Sequence, residues 1–176
     1  MDINHIVTET EANELMAKTK PEFPMHRFLL AMLYLTGARP SELLQLRRLD
    51  FSITDEGYNV VIPTAKLGER ADFQIRTRTL QIRKDMPFFL QIDSYLLDLA
   101  PEERLLPRTV YWVSWLVTKL SEGRFCSYNF RHSRLTKLAR QGANISDLMS
   151  WKGAKDARSV SAYLAAKPYE GKFKVD

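Results

Sequence analysis

Apolar positions recur every three to four residues over most of the chain and give way, between Phe51 and Ile82, to the short β-branched runs of strands. Thr8 with Glu11 three residues later is a capping-box signature, which predicts an amphipathic helix through about Thr19, and Pro21 and Pro24 predict the break after it. Residues 25–35 are apolar nearly all round, as a buried helix is, and Gly37 stands where a left-handed residue would close that helix. Pro40 suits the first turn of another helix, drawn to about Arg48, so Arg39 sits on a tight corner between two helices. The strand segments are 58–62, 72–75 and 79–82, with a turn at Leu67-Gly68-Glu69. After Pro87 the helical period returns over 88–99, 110–121, 129–141 with Gly142 as the stop, 146–151 and 156–165. No internal repeat, low-complexity tract or long linker interrupts the pattern. The expected fold class is mainly α with a small three-stranded antiparallel β-sheet, an α+β arrangement.

The 176 residues suffice for one buried core, and 45% apolar with 27% charged residues is an ordinary globular composition. One domain is expected over 1–176, with a core at about 8–163 and a C-terminal tail at 164–176. No apolar run approaches the ~18 residues that span a bilayer, and the N-terminus has no basic start or apolar h-region, so a cytoplasmic protein without a membrane partner is expected. Cys126 is the only cysteine, which excludes an internal disulfide and a cysteine-based zinc site. Net charge is +5, and its distribution says more than its size. Residues 124–158 carry eight Lys/Arg against Asp147 and Asp156, and residues 66–84 carry six against Glu69 and Asp72, while the rest of the chain is net acidic. Two basic blocks on an acidic remainder suit a polyanion such as DNA, because each phosphate neutralised releases counterions.

Three clusters carry candidate chemistry. In Thr36-Gly37-Ala38-Arg39-Pro40-Ser41-Glu42, the rigid corner points a guanidinium outward, as bidentate phosphate recognition requires, and Glu42 lies one turn behind it to fix a donor. In Ser127-Tyr128-Asn129-Phe130-Arg131-His132-Ser133-Arg134-Leu135-Thr136-Lys137, a helix start is loaded with cations and hydroxyls, and helix starts attract phosphate. In residues 153–163 a glycine turn leads into a short helix presenting Tyr163, which taken alone reads as half-buried packing.

In this order the three clusters resemble the catalytic domain of the tyrosine recombinase (phage integrase) family. Thr-Gly-Ala-Arg-x-x-Glu-Leu-x-x-Leu is similar to the family's first arginine box. Arg131 falls on the second arginine with His132 directly after it, and Tyr163 lies 32 residues beyond Arg131 with Gly153 ten before it. The resemblance implies a site-specific recombinase or integrase acting on double-stranded DNA without metal or other cofactor, as a tetramer on its substrate, in a nucleoid or as a viral protein on host DNA. Arg39 and Arg131 would neutralise the attacked phosphate, and Tyr163 would form a 3′-phosphotyrosyl link that a second DNA hydroxyl reverses. Lys66 would be the general acid, with Arg70, Arg76 and Arg78 on the same hairpin as competitors and DNA contacts. Arg134 and Lys137 would add further DNA contacts.

Two positions depart from the family pattern. Tyr128 stands where a histidine is usual, and Ala154 stands where histidine or tryptophan is usual. Tyr128 can donate to a phosphate but is a poor base near neutrality, and Ala154 can do neither. The expectation is that Tyr128 keeps a phosphate contact while Lys152, Lys155 or His132 takes over part of the missing donation. The family's usual N-terminal helical domain, half of a clamp on DNA, does not precede the helix at Thr8, so the chain reads as an excised catalytic fragment or a minimal enzyme. Competing readings are a DNA-relaxing topoisomerase of the same phosphotyrosyl chemistry and an inactive DNA-binding module on the fold. A metal-dependent nuclease lacks the clustered carboxylates or histidines it needs.

Overall fold

The computed structural model describes residues 4–64, 77–154 and 156–165. The elements in chain order are α1 (Glu9–Ala17), α2 (Pro24–Thr36), α3 (Pro40–Leu43), β1 (Phe51–Thr54), β2 (Gly57–Pro63), β3 (Thr77–Arg83), α4 (Phe89–Leu97), α5 (Val110–Leu120), α6 (Ser127–Arg140), α7 (Ile145–Lys152) and α8 (Arg158–Ala165). Most helix ends fall within two residues of the sequence expectation, the ordinary uncertainty of frayed termini. The expected capping box opens α1: the Glu11 N–H donates to the Thr8 hydroxyl at 3.2 Å, and the Thr8 N–H donates to the Glu11 carboxylate at 2.9 Å.

Helix α2 is the centre of the main core. Its residues Phe28, Leu29, Leu30, Met32 and Leu33 are fully buried, because α1, α4 and α6 pack around it. Each such side chain contributes about 2 kcal/mol of burial free energy. A second, smaller cluster of Leu135, Ala139, Leu148, Val160 and Tyr163 joins α6, α7 and α8. Trp151 packs against both clusters, and its indole N–H donates to the Thr36 carbonyl at 2.8 Å, so the last two helices are fastened to the end of α2.

The sheet is antiparallel in the order β1-β2-β3, with Thr54 facing Gly57 across a two-residue turn and Pro63 facing Thr77. The segments expected at 58–62 and 79–82 are β2 and β3. The third strand is β1, and the segment expected at 72–75 lies outside the described residues. Along β3 burial alternates, which turns Arg78, Leu80 and Ile82 inward and leaves Thr77, Thr79, Gln81 and Arg83 outside.

Helix α3 stops at Leu43, well short of the expected Arg48. The backbone beyond it finds partners in another loop. Leu46 accepts from the Leu105 N–H, the Arg48 N–H donates to Glu103, and the Leu49 N–H donates to Pro101. These bonds tie the chain, which forms a single 3-10 turn at Arg48–Asp50, to that loop and seat Leu46 in the core at no exposure.

Between α2 and α3 the chain turns at Gly37, whose φ is +58° and whose N–H donates to the Leu33 carbonyl at 3.0 Å. A Cβ at residue 37 would lie 2.9 Å from the Arg134 Cβ and 3.3 Å from the Arg131 Cα. The missing side chain therefore lets α6 lie directly against the corner that carries Arg39. The expected outcome for Gly37→Ala is a loss of about 2 kcal/mol or more of stability, from the left-handed backbone and the contact with α6 together. Urea unfolding measures it, and a variant within a few tenths of the parent would contradict the close approach.

Candidate active site

The corner, the second helix start and β3 bring three arginines to one carboxylate. Glu42 is fully buried. Its Oε1 accepts from Arg39 Nη1 at 2.6 Å, and its Oε2 accepts from the Arg39 backbone N–H at 2.9 Å and from Arg78 Nη2 at 2.7 Å. Arg131 Nη1 stands 4.0 Å from the same Oε2, beyond a hydrogen bond. Arg131 is held by two carbonyls instead: Nη1 donates to Gly37 at 2.9 Å and Nη2 to Lys152 at 2.6 Å. Burial is the largest influence on the Glu42 carboxyl and pushes its pKa up, but bonds and charge from Arg78, followed by the bonds from Arg39, outweigh it and leave the group below the ordinary value. Burial and repulsion from Arg39 and Arg78 bring the Arg131 pKa down to about 10, against support from Glu42 and Tyr163. The cluster sets three guanidiniums around one carboxylate.

Arg39, Ser41, Tyr128, Arg131, Lys152 and Tyr163 line one open cleft of about 410 Å³. Tyr163 is 8% exposed, on α8, and burial followed by the charge and hydrogen bond of Tyr128 pushes its phenol up to about 12, with Arg131 pulling the other way. Tyr128 stands half out of the protein at 52% exposure. The His132 ring lies 6.4 Å from that of Tyr128 and 5.4 Å from that of Tyr163. Lys152 Nζ sits 5.5 Å from the Tyr163 ring centroid and donates to the Ser159 carbonyl, which places a cation beside the phenol. The arrangement can hold an anion between Arg39 and Arg131 with two phenol hydroxyls at hand.

Some expected residues lie elsewhere. Arg78 was expected as an exposed DNA contact on the hairpin, but β3 turns it inward and it is 7% exposed against Glu42. Arg134 is half-buried with its guanidinium 4.7 Å from the Trp151 ring centroid, so it packs α6 on α7 rather than pointing into the cleft. Lys137 lines a separate cavity of about 300 Å³ with Ile6, Val7 and Tyr34 on another face of α6. Lys66, Arg70, Arg76 and Lys155 lie outside the described residues. The role of Arg78 was missed in the sequence, although its two-residue spacing from Leu80 and Ile82 placed it on the inner face. Among the described residues no three His, Cys, Asp or Glu side chains converge as a metal site requires, and no helix is long and apolar enough to cross a membrane.

Residues 5–170 match the Phage integrase family, and the chain belongs to that family. Solved structures of recombinase catalytic domains share its fold. The catalytic domain of bacteriophage HP1 integrase is 17% identical with a TM-score of 0.66, over 94% of this chain and 89% of the other. XerA recombinase is 16% identical with a TM-score of 0.69, over 91% of this chain and 58% of the other. XerH site-specific recombinase, in a pre-cleavage complex with its difH substrate, is 15% identical with a TM-score of 0.66, over 90% of this chain and 49% of that one. The chain thus spans about half the length of XerH. No curated protein sequence matches it.

Glu42→Gln leaves Arg39 and Arg78 clustered without their counter-charge, so a loss of about 3 kcal/mol at pH 7 is expected. Because folding lowers the Glu42 pKa, its contribution is complete above the unfolded carboxyl value and fades as pH falls through the folded one. Urea unfolding at pH 7 and in the acid range should show the gap between parent and variant narrowing towards low pH. A gap that widens on acidification would contradict the charge network.

Proposed function

We propose that this chain is a site-specific DNA recombinase or integrase that cleaves and rejoins double-stranded DNA through a 3′-phosphotyrosyl intermediate at Tyr163. The observation that carries this reading is the common cleft of Arg39, Arg131 and Tyr163, with both guanidiniums oriented before any substrate arrives. Arg39 and Arg131 take the non-bridging oxygens of the scissile phosphate and stabilise the charge that grows on them during attack. The Tyr163 oxygen bonds to phosphorus, the bond to the 5′-oxygen breaks, and that oxygen takes a proton from the general acid. Lys66 is assigned that role by the family resemblance. The reverse attack by a 5′-hydroxyl rejoins the strand, so the bond energy is conserved and no nucleotide cofactor is consumed.

Burial and Tyr128 hold the Tyr163 phenol above its ordinary value, so it is protonated at pH 7 and its proton leaves during attack rather than before it, passing to water in the open cleft. Tyr128, half-exposed at the cleft, donates to the same phosphate, while Lys152 and His132 hold the nucleophile's ring. Recombination is favoured over DNA relaxation because XerH site-specific recombinase, solved bound to difH substrate, and the Tn1549 transposon integrase, solved in complex with transposon right end DNA, share this fold. Contacts made to DNA phosphates by Lys and Arg release counterions, so the affinity falls steeply with salt. A tetramer on DNA follows from the same reading.

The test is a nicked suicide duplex, with covalent adducts resolved on a denaturing gel. Parent and Tyr169→Phe should form the adduct, Tyr163→Phe should form none, and Tyr128→Phe should form it about tenfold more slowly through the lost donor. An adduct from Tyr163→Phe would overturn the nucleophile, and a Tyr128→Phe variant as fast as the parent would overturn the phosphate contact.

A further inference from the structure

We propose that Arg78 is a positioning residue for DNA cleavage: it occupies Oε2 of Glu42 and so keeps the Arg131 guanidinium turned to the cleft. This inference rests on the proposed cleavage activity. Arg78 does not line the cleft, and its hydrogen bond reaches the site through Glu42.

The position is an unexpected one for a charge. On β3 the inward residues two and four places on are Leu80 and Ile82, and an apolar side chain at 78 would continue the core. Among the described residues Nε and Nη1 of Arg78 are buried without a hydrogen-bond partner. Unsatisfied donors of this kind disfavour folding, and a buried ion pair replaced by apolar groups of similar volume is often neutral or stabilising. Packing alone therefore gives no reason for the arginine.

Its partner supplies one. Glu42 has two oxygens and three guanidiniums within 4.0 Å, from the corner (Arg39), from β3 (Arg78) and from α6 (Arg131). Arg78 and the Arg39 backbone N–H fill Oε2, and Arg39 Nη1 fills Oε1. Without Arg78, Oε2 is open to Arg131 Nη1, which needs to move only about 1 Å to bond it. Arg131 would then turn towards Glu42 and away from the cleft. Arg78 also leaves the cluster with more positive than negative charge in a nearly dry setting, and a phosphodiester entering the cleft offsets that excess. The pentacoordinate transition state, which carries more negative charge, offsets it further, so the effect belongs mainly to the rate.

Arg78 also joins two parts of the site. A Cβ on Gly153 would lie 3.4 Å from Arg78 Nη1 and 2.9 Å from the Thr64 side chain, so the base of the hairpin abuts the turn that leads to α8 and Tyr163. The arginine grip, the hairpin base and the end of α7, which leads on to α8, thus meet at one guanidinium.

The experiment measures single-turnover adduct formation on the nicked duplex at saturating DNA, with the DNA Kd and the rate-against-pH profile, for parent, Arg78→Met, Arg78→Gln and Arg78→Lys. Thermal unfolding checks that each variant is folded, and Arg78→Gln decides if Arg78→Met is not. The expected result is a cleavage rate about 30-fold lower in the uncharged variants, a Kd within about threefold of the parent, and partial recovery in Arg78→Lys. The acid limb of the profile should move to higher pH in the uncharged variants, because Glu42 loses the partner that holds its carboxyl down most strongly. Folded uncharged variants that cleave within threefold of an active parent, with an unmoved acid limb, would overturn the role of Arg78 and leave the proposed function standing. A parent that forms no adduct would overturn the proposed function and the role of Arg78 with it.

Discussion

The buried carboxylate of Glu42 is the constraint on which the site depends. A charge removed from water must be paired, and Glu42 is paired by residues from the α2–α3 corner and β3, with Arg131 of α6 close behind. Each contact fixes a donor that would otherwise move freely in solvent. The corner approaches α6 only because residue 37 has no side chain, and Arg131 is then seated by the carbonyls of Gly37 and Lys152. On the proposed reading, a phosphate entering the cleft would meet guanidiniums whose orientation has already been set during folding, which is where electrostatic catalysis gains most.

Tyr163 is governed by the opposite requirement. It belongs to the small apolar cluster of α6, α7 and α8, and that burial keeps the phenol protonated while it waits. The same packing aims the hydroxyl, since the ring is held by His132 on one side and by the Lys152 ammonium near its face. On the proposed reading, reactivity would be tied to the arrival of the phosphate and its arginine partners rather than to a standing phenolate.

Much of this could be read from the chain. Gly37-Ala38-Arg39-Pro40 spelled out a corner through one residue suited to positive φ and another suited to a first helical turn, and the spacing from Arg131 to Tyr163 matched a family. The β-branched runs at 58–62 and 79–82 gave the strands β2 and β3, but not their pairing. What escaped was set by distant partners. Arg78 and Arg134 were read as surface cations because arginine is usually solvated, yet one continues the inner face of β3 and the other covers Trp151. The early end of α3 depended on backbone bonds to residues 101–105, which no local signal encodes. Lys66, Arg70, Arg76 and Lys155 remain expectations of the sequence.

Two tyrosines, Tyr128 and Tyr163, line the same cleft, and the central claim is that the second attacks the phosphate. The most direct measurement is to digest the covalent adduct with protease and nuclease and locate the remaining nucleotide by mass spectrometry. The expected result is a single modified peptide with the nucleotide on Tyr163. Attachment to Tyr128, or to any other residue, would contradict it.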